Sequence, residues 1–214
     1  MRKQKRAYEH KGSTREYLIT LASFPNYLKL LSTKNKPYDQ LLSWLIQISV
    51  QIDDQSFSVP TIKELSKKLK IDANKIAIQL RSIYNDIMLL NQNEPGLFAN
   101  KGQIQCSLSF NYLGAIAYFN TGLNVLPTIG NYFNFSFLRP KLGGTGYYVH
   151  HIHHDLNSTG HEITVRLNCE RDNLYLKLLQ EKALLHKRIS IMESYDTDLD
   201  NELIERLVNW SDAI

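Results

Sequence analysis

The stretch TIKELSKKLKIDANKIAIQL, residues 61–80, sets two short amphipathic helical patterns around a break no longer than Ile71, Asp72 and Ala73. Thr61 followed by Glu64 is the arrangement of a capping box, in which each side chain satisfies a backbone N–H that the first helical turn leaves free. Ile62, Leu65 and Leu69 then mark the buried side of one helix. The next starts at Asn74, and its Ile76, Leu80, Ile83 and Ile87 fall within about 60° of one another on a wheel of 3.6 residues per turn. Its opposite side carries Asn74, Ile78, Arg81, Ser82 and Asn85, with Lys75 at the edge. Two helices this close either simply pack together, or the first braces the second so that it can lie in a groove of DNA.

The flanks narrow the choice. Upstream, residues 38–52 read as a helix, with Leu41, Leu42, Leu45, Ile46 and Ser49 at three-four spacing and Pro37 where a helix start tolerates it. Asp53, Asp54, Gln55 and Ser56 break that pattern. Downstream, Asn93, Glu94, Pro95 and Gly96 stop the third helix. Leu97, Phe98 and Ala99, a turn at Asn100, Lys101 and Gly102, and strict alternation in QIQCSLSF then predict a two-stranded hairpin, with Ile104, Cys106, Leu108 and Phe110 on one face.

Helix, helix, short turn, helix and hairpin is the order in which residues 38–112, about a third of the chain, resemble the winged helix-turn-helix DNA-binding superfamily. In the positions that carry the resemblance, Ile62, Leu65 and Leu69 anchor the helix before the turn and Ile71 opens the turn. Ile76 and Leu80 anchor the recognition helix. Ser66 and Lys70 depart from the family pattern, standing where a small apolar residue and a glycine are common. The resemblance implies double-stranded DNA as the partner, with Asn74, Arg81, Ser82 and Asn85 facing bases and Lys63, Lys67, Lys68, Lys70 and Lys75 neutralising phosphates. Lys101, read as a hairpin tip, would touch a neighbouring groove.

Composition is that of a globular chain, 43% hydrophobic and 21% charged, and no window approaches a membrane span. The basic opening has no apolar run behind it, which points away from a signal peptide and toward the cytoplasm. Residues 1–36 hold nine Lys or Arg against two acids, and residues 190–214 one Arg against seven acids. The first segment is therefore expected to be a basic arm. Cys106 and Cys169 stand alone, which argues against a disulfide scaffold or a cysteine zinc site.

Residues 113–214 are expected to form a mixed strand and helix region. The run Tyr132, Phe133, Asn134, Phe135, Ser136, Phe137 alternates like a strand and is assigned to core packing in preference to base stacking. Gly143, Gly144, Thr145 and Gly146 lack the lysine and serine of a P-loop and are read as a turn. YYVHHIHHDLNSTGHEITVRL, residues 147–167, is read as a hairpin; a metal there would use His151 and His153 with His161 or Glu162. A helix through Leu174, Leu178, Leu179 and Leu185, and an acidic one through Leu199, Leu203, Leu207 and Trp210, could bury a homodimer seam or a protein partner. The reading is an α+β protein with three segments, 1–36, 37–112 and 113–214. Its expected function is sequence-specific DNA binding, as a transcriptional regulator or as an accessory factor of a plasmid or mobile element, without a cofactor and with no catalytic constellation apparent. The alternatives are a metal-dependent nuclease or hydrolase built on the histidine hairpin, and an interaction subunit whose winged helix never meets DNA.

Overall fold

The computed structural model of the chain describes residues 8–31, 36–49, 59–158, 160–170 and 174–190, with the backbone alone for 174–177. The chain divides into two compact units, Met1–Arg171 and Asp172–Ile214.

The first unit opens with helices where the charge pattern suggested an arm. Helix α1, Thr14–Ala22, starts with a capping box between Ser13 and Glu16, and α2, Pro25–Leu31, follows directly. Leu18, Leu21, Ala22, Leu28 and Leu31 are buried, while Lys11, Arg15 and Lys29 stay exposed. Burying these apolar side chains outweighs the dispersed positive charge, so this part of residues 1–36 is core. Arg2, Lys3, Lys5 and Arg6 lie outside the described residues.

Helix α3, Asp39–Ser49, buries Leu41, Leu42, Trp44, Leu45 and Ile48, and residues 50–58 lie outside the description. Helices α4, Ile62–Leu69, and α5, Ala73–Asn93, match the two patterns of the 61–80 stretch. After α5 the chain departs from expectation. Leu97 and Phe98 belong to a 3-10 helix, Pro95–Phe98, instead of a strand. Phe98 is held by ring contacts to Tyr27 at 5.2 Å and Phe119 at 5.5 Å, which favours the tight helical turn over an extended segment.

The partner of β1, Ile104–Tyr112, is therefore β2, Ala115–Leu123, paired from Tyr112 with Ala115 to Ile104 with Leu123. Their two-residue turn, Leu113 and Gly114, has φ of +51° and +89°. Two positive φ values match the twist of a tight hairpin, and Gly114 adopts its value without steric cost. Among the described residues β3 (Tyr132–Asn134), β4 (Gly146–Asn157) and β5 (Gly160–Asn168) complete one sheet in the order β2-β1-β5-β4-β3. The β1–β5 pair is parallel and the others antiparallel. A boundary at 112 would thus separate β1 from both of its neighbours. The expected strand 132–137 is shorter than its alternation suggested: after Asn134 the chain turns into a 3-10 helix, Ser136–Leu138, and α6, Arg139–Leu142. Gly143 ends α6 and its neighbours lead into β4, so the glycine-rich segment is a turn.

Every second residue of the sheet faces one core: Cys106, Leu108 and Phe110, Ala117 and Phe119, Tyr147 and Val149, Ile163, Val165 and Leu167. The helices cover this face, and aromatic rings fill the junction. Phe137, fully buried, lies 5.1–5.2 Å from Phe24, Tyr27, Tyr84 and Phe119. At the open edge of β2, Asn91 of α5 replaces a missing strand. Its Nδ2 donates to the Asn120 carbonyl at 2.7 Å, and its Oδ1 accepts from the Asn120 N–H at 2.8 Å.

In the second unit α7, Leu174–Leu185, has Leu179 and Ala183 buried four residues apart and Leu178 and Leu185 exposed. The expected acidic helix around 199–210 lies outside the described residues.

Candidate nucleic-acid interface

Thr61 and Glu64 cap α4 reciprocally: the Thr61 N–H donates to Glu64 Oε2 at 2.7 Å and the Glu64 N–H to Thr61 Oγ1 at 3.3 Å. These bonds from Thr61, with Lys67 nearby, hold the Glu64 carboxyl below its ordinary range. Helix α4 ends at Lys70 in the left-handed conformation, φ +56° and ψ +36°. Ser66 fastens the turn from both sides, its carbonyl accepting the Ile71 N–H at 3.2 Å and its hydroxyl donating to the Ile71 carbonyl at 2.6 Å. The hydroxyl absent from the family pattern is thus what locks this turn. Asp72 then caps α5, its Oδ1 accepting from Asn74 N–H at 2.8 Å and Lys75 N–H at 3.3 Å. The recognition-helix candidate therefore starts at Ala73, one residue earlier than the sequence suggested.

Leu65, Ile76, Leu80, Ile83 and Ile87 seat the pair on the core with no exposure. Gln40 Nε2 donates to the Leu69 carbonyl at 3.1 Å and ties α3 to the end of α4. Outward, the turn gathers Lys67 and Lys70 from one helix and Asn74 and Lys75 from the next, all exposed, with Lys63 exposed one turn back along α4. Asn74, Arg81 and Asn85 form the exposed stripe of α5; Ile78 is 65% exposed between them, and Ser82 is half-buried. The one acid of α5, Asp86, accepts a hydrogen bond from Tyr38 Oη at 2.5 Å and lies 3.3 Å from Lys36 Nζ. The Tyr38 phenol is pushed above its ordinary range by burial and by Asp86.

Lys101 does not join this group. It is exposed in the turn that follows α5, where Gln103 N–H donates to the Asn100 carbonyl at 3.0 Å. That turn lies beyond the C-terminal end of a 21-residue helix, about 30 Å of axis from Asn74 at 1.5 Å per residue. The tip between β1 and β2 is Leu113 and Gly114 instead, without a cation.

Arg81 and Asn85 also take part in a feature the sequence did not reveal, a groove of about 470 Å³ between α5, the segment before α1, and α6. Lys11 and Lys141 flank it, and Tyr17, Tyr84, Met88 and Pro140 line it. These residues are scattered over 130 positions of sequence, and no spacing pattern could have assembled them.

The histidine hairpin forms as β4 and β5, and of the candidate ligands it leaves Glu162 on the face of His151 and His153 but sends His161 to the other. An irregularity between Val149 and His151 resets the alternation. His151 and His153 then pair with Arg166 and Thr164, while His154 pairs with the buried Ile163 and Leu156 with His161. His161 accordingly meets His154, with Nδ1 of His154 and Nε2 of His161 2.9 Å apart, on the face opposite His151 and His153. The trio His151, His153 and His161 is not brought together, and among the described residues no three His, Cys, Asp or Glu side chains are placed to hold a metal. Burial raises the Cys106 thiol above its ordinary range, so its reactive thiolate is suppressed. No helix among the described residues is long and apolar enough to cross a membrane. In comparisons with known proteins the chain matches no family model, no curated protein and no solved structure.

Proposed function

We propose that the chain binds double-stranded DNA selectively through α4 and α5, acting as the helix-turn-helix of a winged-helix domain in a transcriptional regulator or an accessory factor of a replicating or mobile element. The observation that supports this most is the locked left-handed turn at Lys70, beside which four cationic or amide side chains stand exposed with no carboxylate on the exposed stripe of α5. Lys63, Lys67, Lys70 and Lys75 would supply sequence-independent attraction to phosphates. Asn74 and Arg81 have the paired hydrogen-bonding groups that read adenine and guanine edges, and the exposed Ile78 could touch a thymine methyl. Because the Asp72 carboxylate occupies the first N–H groups of α5, phosphate contact falls to the lysines. The tip of the β1–β2 hairpin adds no charge, so affinity would concentrate on α4 and α5.

Selection from a random duplex pool, followed by binding at two salt concentrations, tests the reading. Asn74→Ala is expected to cost roughly 1–3 kcal/mol on the selected site and to relax choice at one base pair. Lys67→Ala should weaken all duplexes alike and lower the salt slope by about one. Absence of duplex binding at low salt, or equal losses on every sequence for both variants, would remove the proposed role.

A further inference from the structure

The groove beside α5 collects three cations, Lys11, Arg81 and Lys141, and none of them has an ion-pair partner among the described residues. Neighbouring cations behave differently: Lys36 meets Asp86 at 3.3 Å, and Arg139 meets Glu16 at 3.6 Å. The groove therefore concentrates positive charge that the protein itself leaves uncompensated, an arrangement that favours an anion. Glu16, which meets the groove residue His10 at 3.4 Å, is occupied as well by the Ser13 N–H at 2.8 Å and by Arg139.

A second observation concerns Tyr84, which lines the groove and is 2% exposed, yet its hydroxyl has no hydrogen-bond partner among the described residues. Buried hydroxyls are as a rule satisfied, so this one is a hydrogen-bonding group beside the groove that the described residues leave unmet. Asn85 adds an exposed amide. His10 adds an imidazole that faces Glu16, and the rest of the wall is apolar, chiefly Tyr17, Met88 and Pro140. A phosphodiester backbone would leave that wall bare, whereas a flat ring attached to a phosphate would cover it. The volume of about 470 Å³ falls within the range of small-molecule sites. The wall is also fixed in place: a Cβ on Gly12 would come 2.5 Å from the Pro140 carbonyl oxygen, so the 10–12 segment lies directly against α6.

We propose that this groove binds a small phosphorylated ligand of nucleotide size, its phosphate held by Lys11, Arg81 and Lys141 and its ring lying against Tyr17 and Met88. The groove shares Arg81 with the duplex-reading face of α5 and differs from it in Lys11, Lys141 and Tyr84, so a bound monophosphate and a duplex would compete for that one guanidinium.

Calorimetric titration of the full chain with adenosine monophosphate as probe tests it, with adenosine and inorganic phosphate as controls. One saturable site is expected for the monophosphate, with adenosine and inorganic phosphate each at least tenfold weaker. Lys141→Ala should weaken the monophosphate at least tenfold. Tyr84→Phe, which removes the hydroxyl alone, should weaken it severalfold while circular dichroism stays unchanged. Lys75→Ala should leave it unaltered even where duplex binding falls. Adenosine binding as tightly as the monophosphate, or monophosphate binding indifferent to both Lys141→Ala and Tyr84→Phe, would overturn the assignment. So would a chain that binds duplex in a Lys141-dependent way but no monophosphate, since the phosphate would then belong to DNA.

Discussion

Lys70 spends conformational energy at the point where α4 turns into α5. A side chain in the left-handed region costs roughly 1–2 kcal/mol relative to glycine, the residue that commonly ends helices this way. Lys70→Gly, at φ +56°, should therefore raise stability by about 1 kcal/mol, a shift of roughly 2–4 °C in the melting temperature of a chain this size. The same variant should lower the salt slope of duplex binding by about one if the lysine reaches a phosphate. A melting point that stays level or falls would mean that the lysine side chain makes a compensating contact. Strain kept at a cationic position is what a functional turn would show, and the unfolding and binding measurements separate strain from function.

Helix α5 is fixed to the sheet by Asn91, whose amide forms the two-point pairing with Asn120 that a neighbouring strand would otherwise make. Asn91→Ala leaves a backbone N–H and C=O at the β2 edge without partners, and should cost about 1–3 kcal/mol in denaturant unfolding. It also reopens an edge to strand addition, so light scattering on the folded variant should rise with concentration. A stability change below 0.5 kcal/mol would show that water replaces the amide at no cost. The elements themselves were legible in sequence to different degrees. Thr61 with Glu64, and the stripes Leu65–Leu69 and Ile76–Ile87, could be read because the interactions that set them span three or four residues. Ser13 with Glu16 carries the same local signal before Leu18 and Leu21, and counting charge instead of period obscured it. The partner of β1 was hidden for a different reason. Phe98 buries its ring in a tight turn, and the strand that pairs with Tyr112 lies just past a Leu113–Gly114 turn whose asparagine, Asn111, stands two residues ahead of it and accepts the Gly114 N–H at 3.0 Å. Alternation gives His151 and His153 a common face, whereas the face of His161 depends on the register set at the Asn157–Gly160 turn, which alternation along one strand does not fix.

For the molecule as a whole, the core runs without interruption from Leu18 to Leu167. A fragment of residues 37–112 keeps β1 but loses β2, β5 and the α1 and α2 leucines, and should show no cooperative thermal transition. Residues 1–171, which comprise the first compact unit, should unfold in one cooperative step. Cooperative melting of the shorter fragment would restore the smaller domain, and failure of the longer one would mean that residues 172–214 are required for folding.

The parallel pairing of β1 with β5 also has a timetable. Ser107 waits for Thr164, and the chain between them is made at about 5–20 residues per second, so one side of β1 stays open on the ribosome for roughly 3–11 s. During that interval the helices before β1 and the β1–β2 hairpin are already synthesised, yet β1, an interior strand of the finished sheet, is an edge. Contacts so distant in sequence also slow closure once the partner has emerged. The rate at which residues 113–168 are translated, and any chaperone that shields an exposed strand, therefore act on the same few seconds of the protein's life.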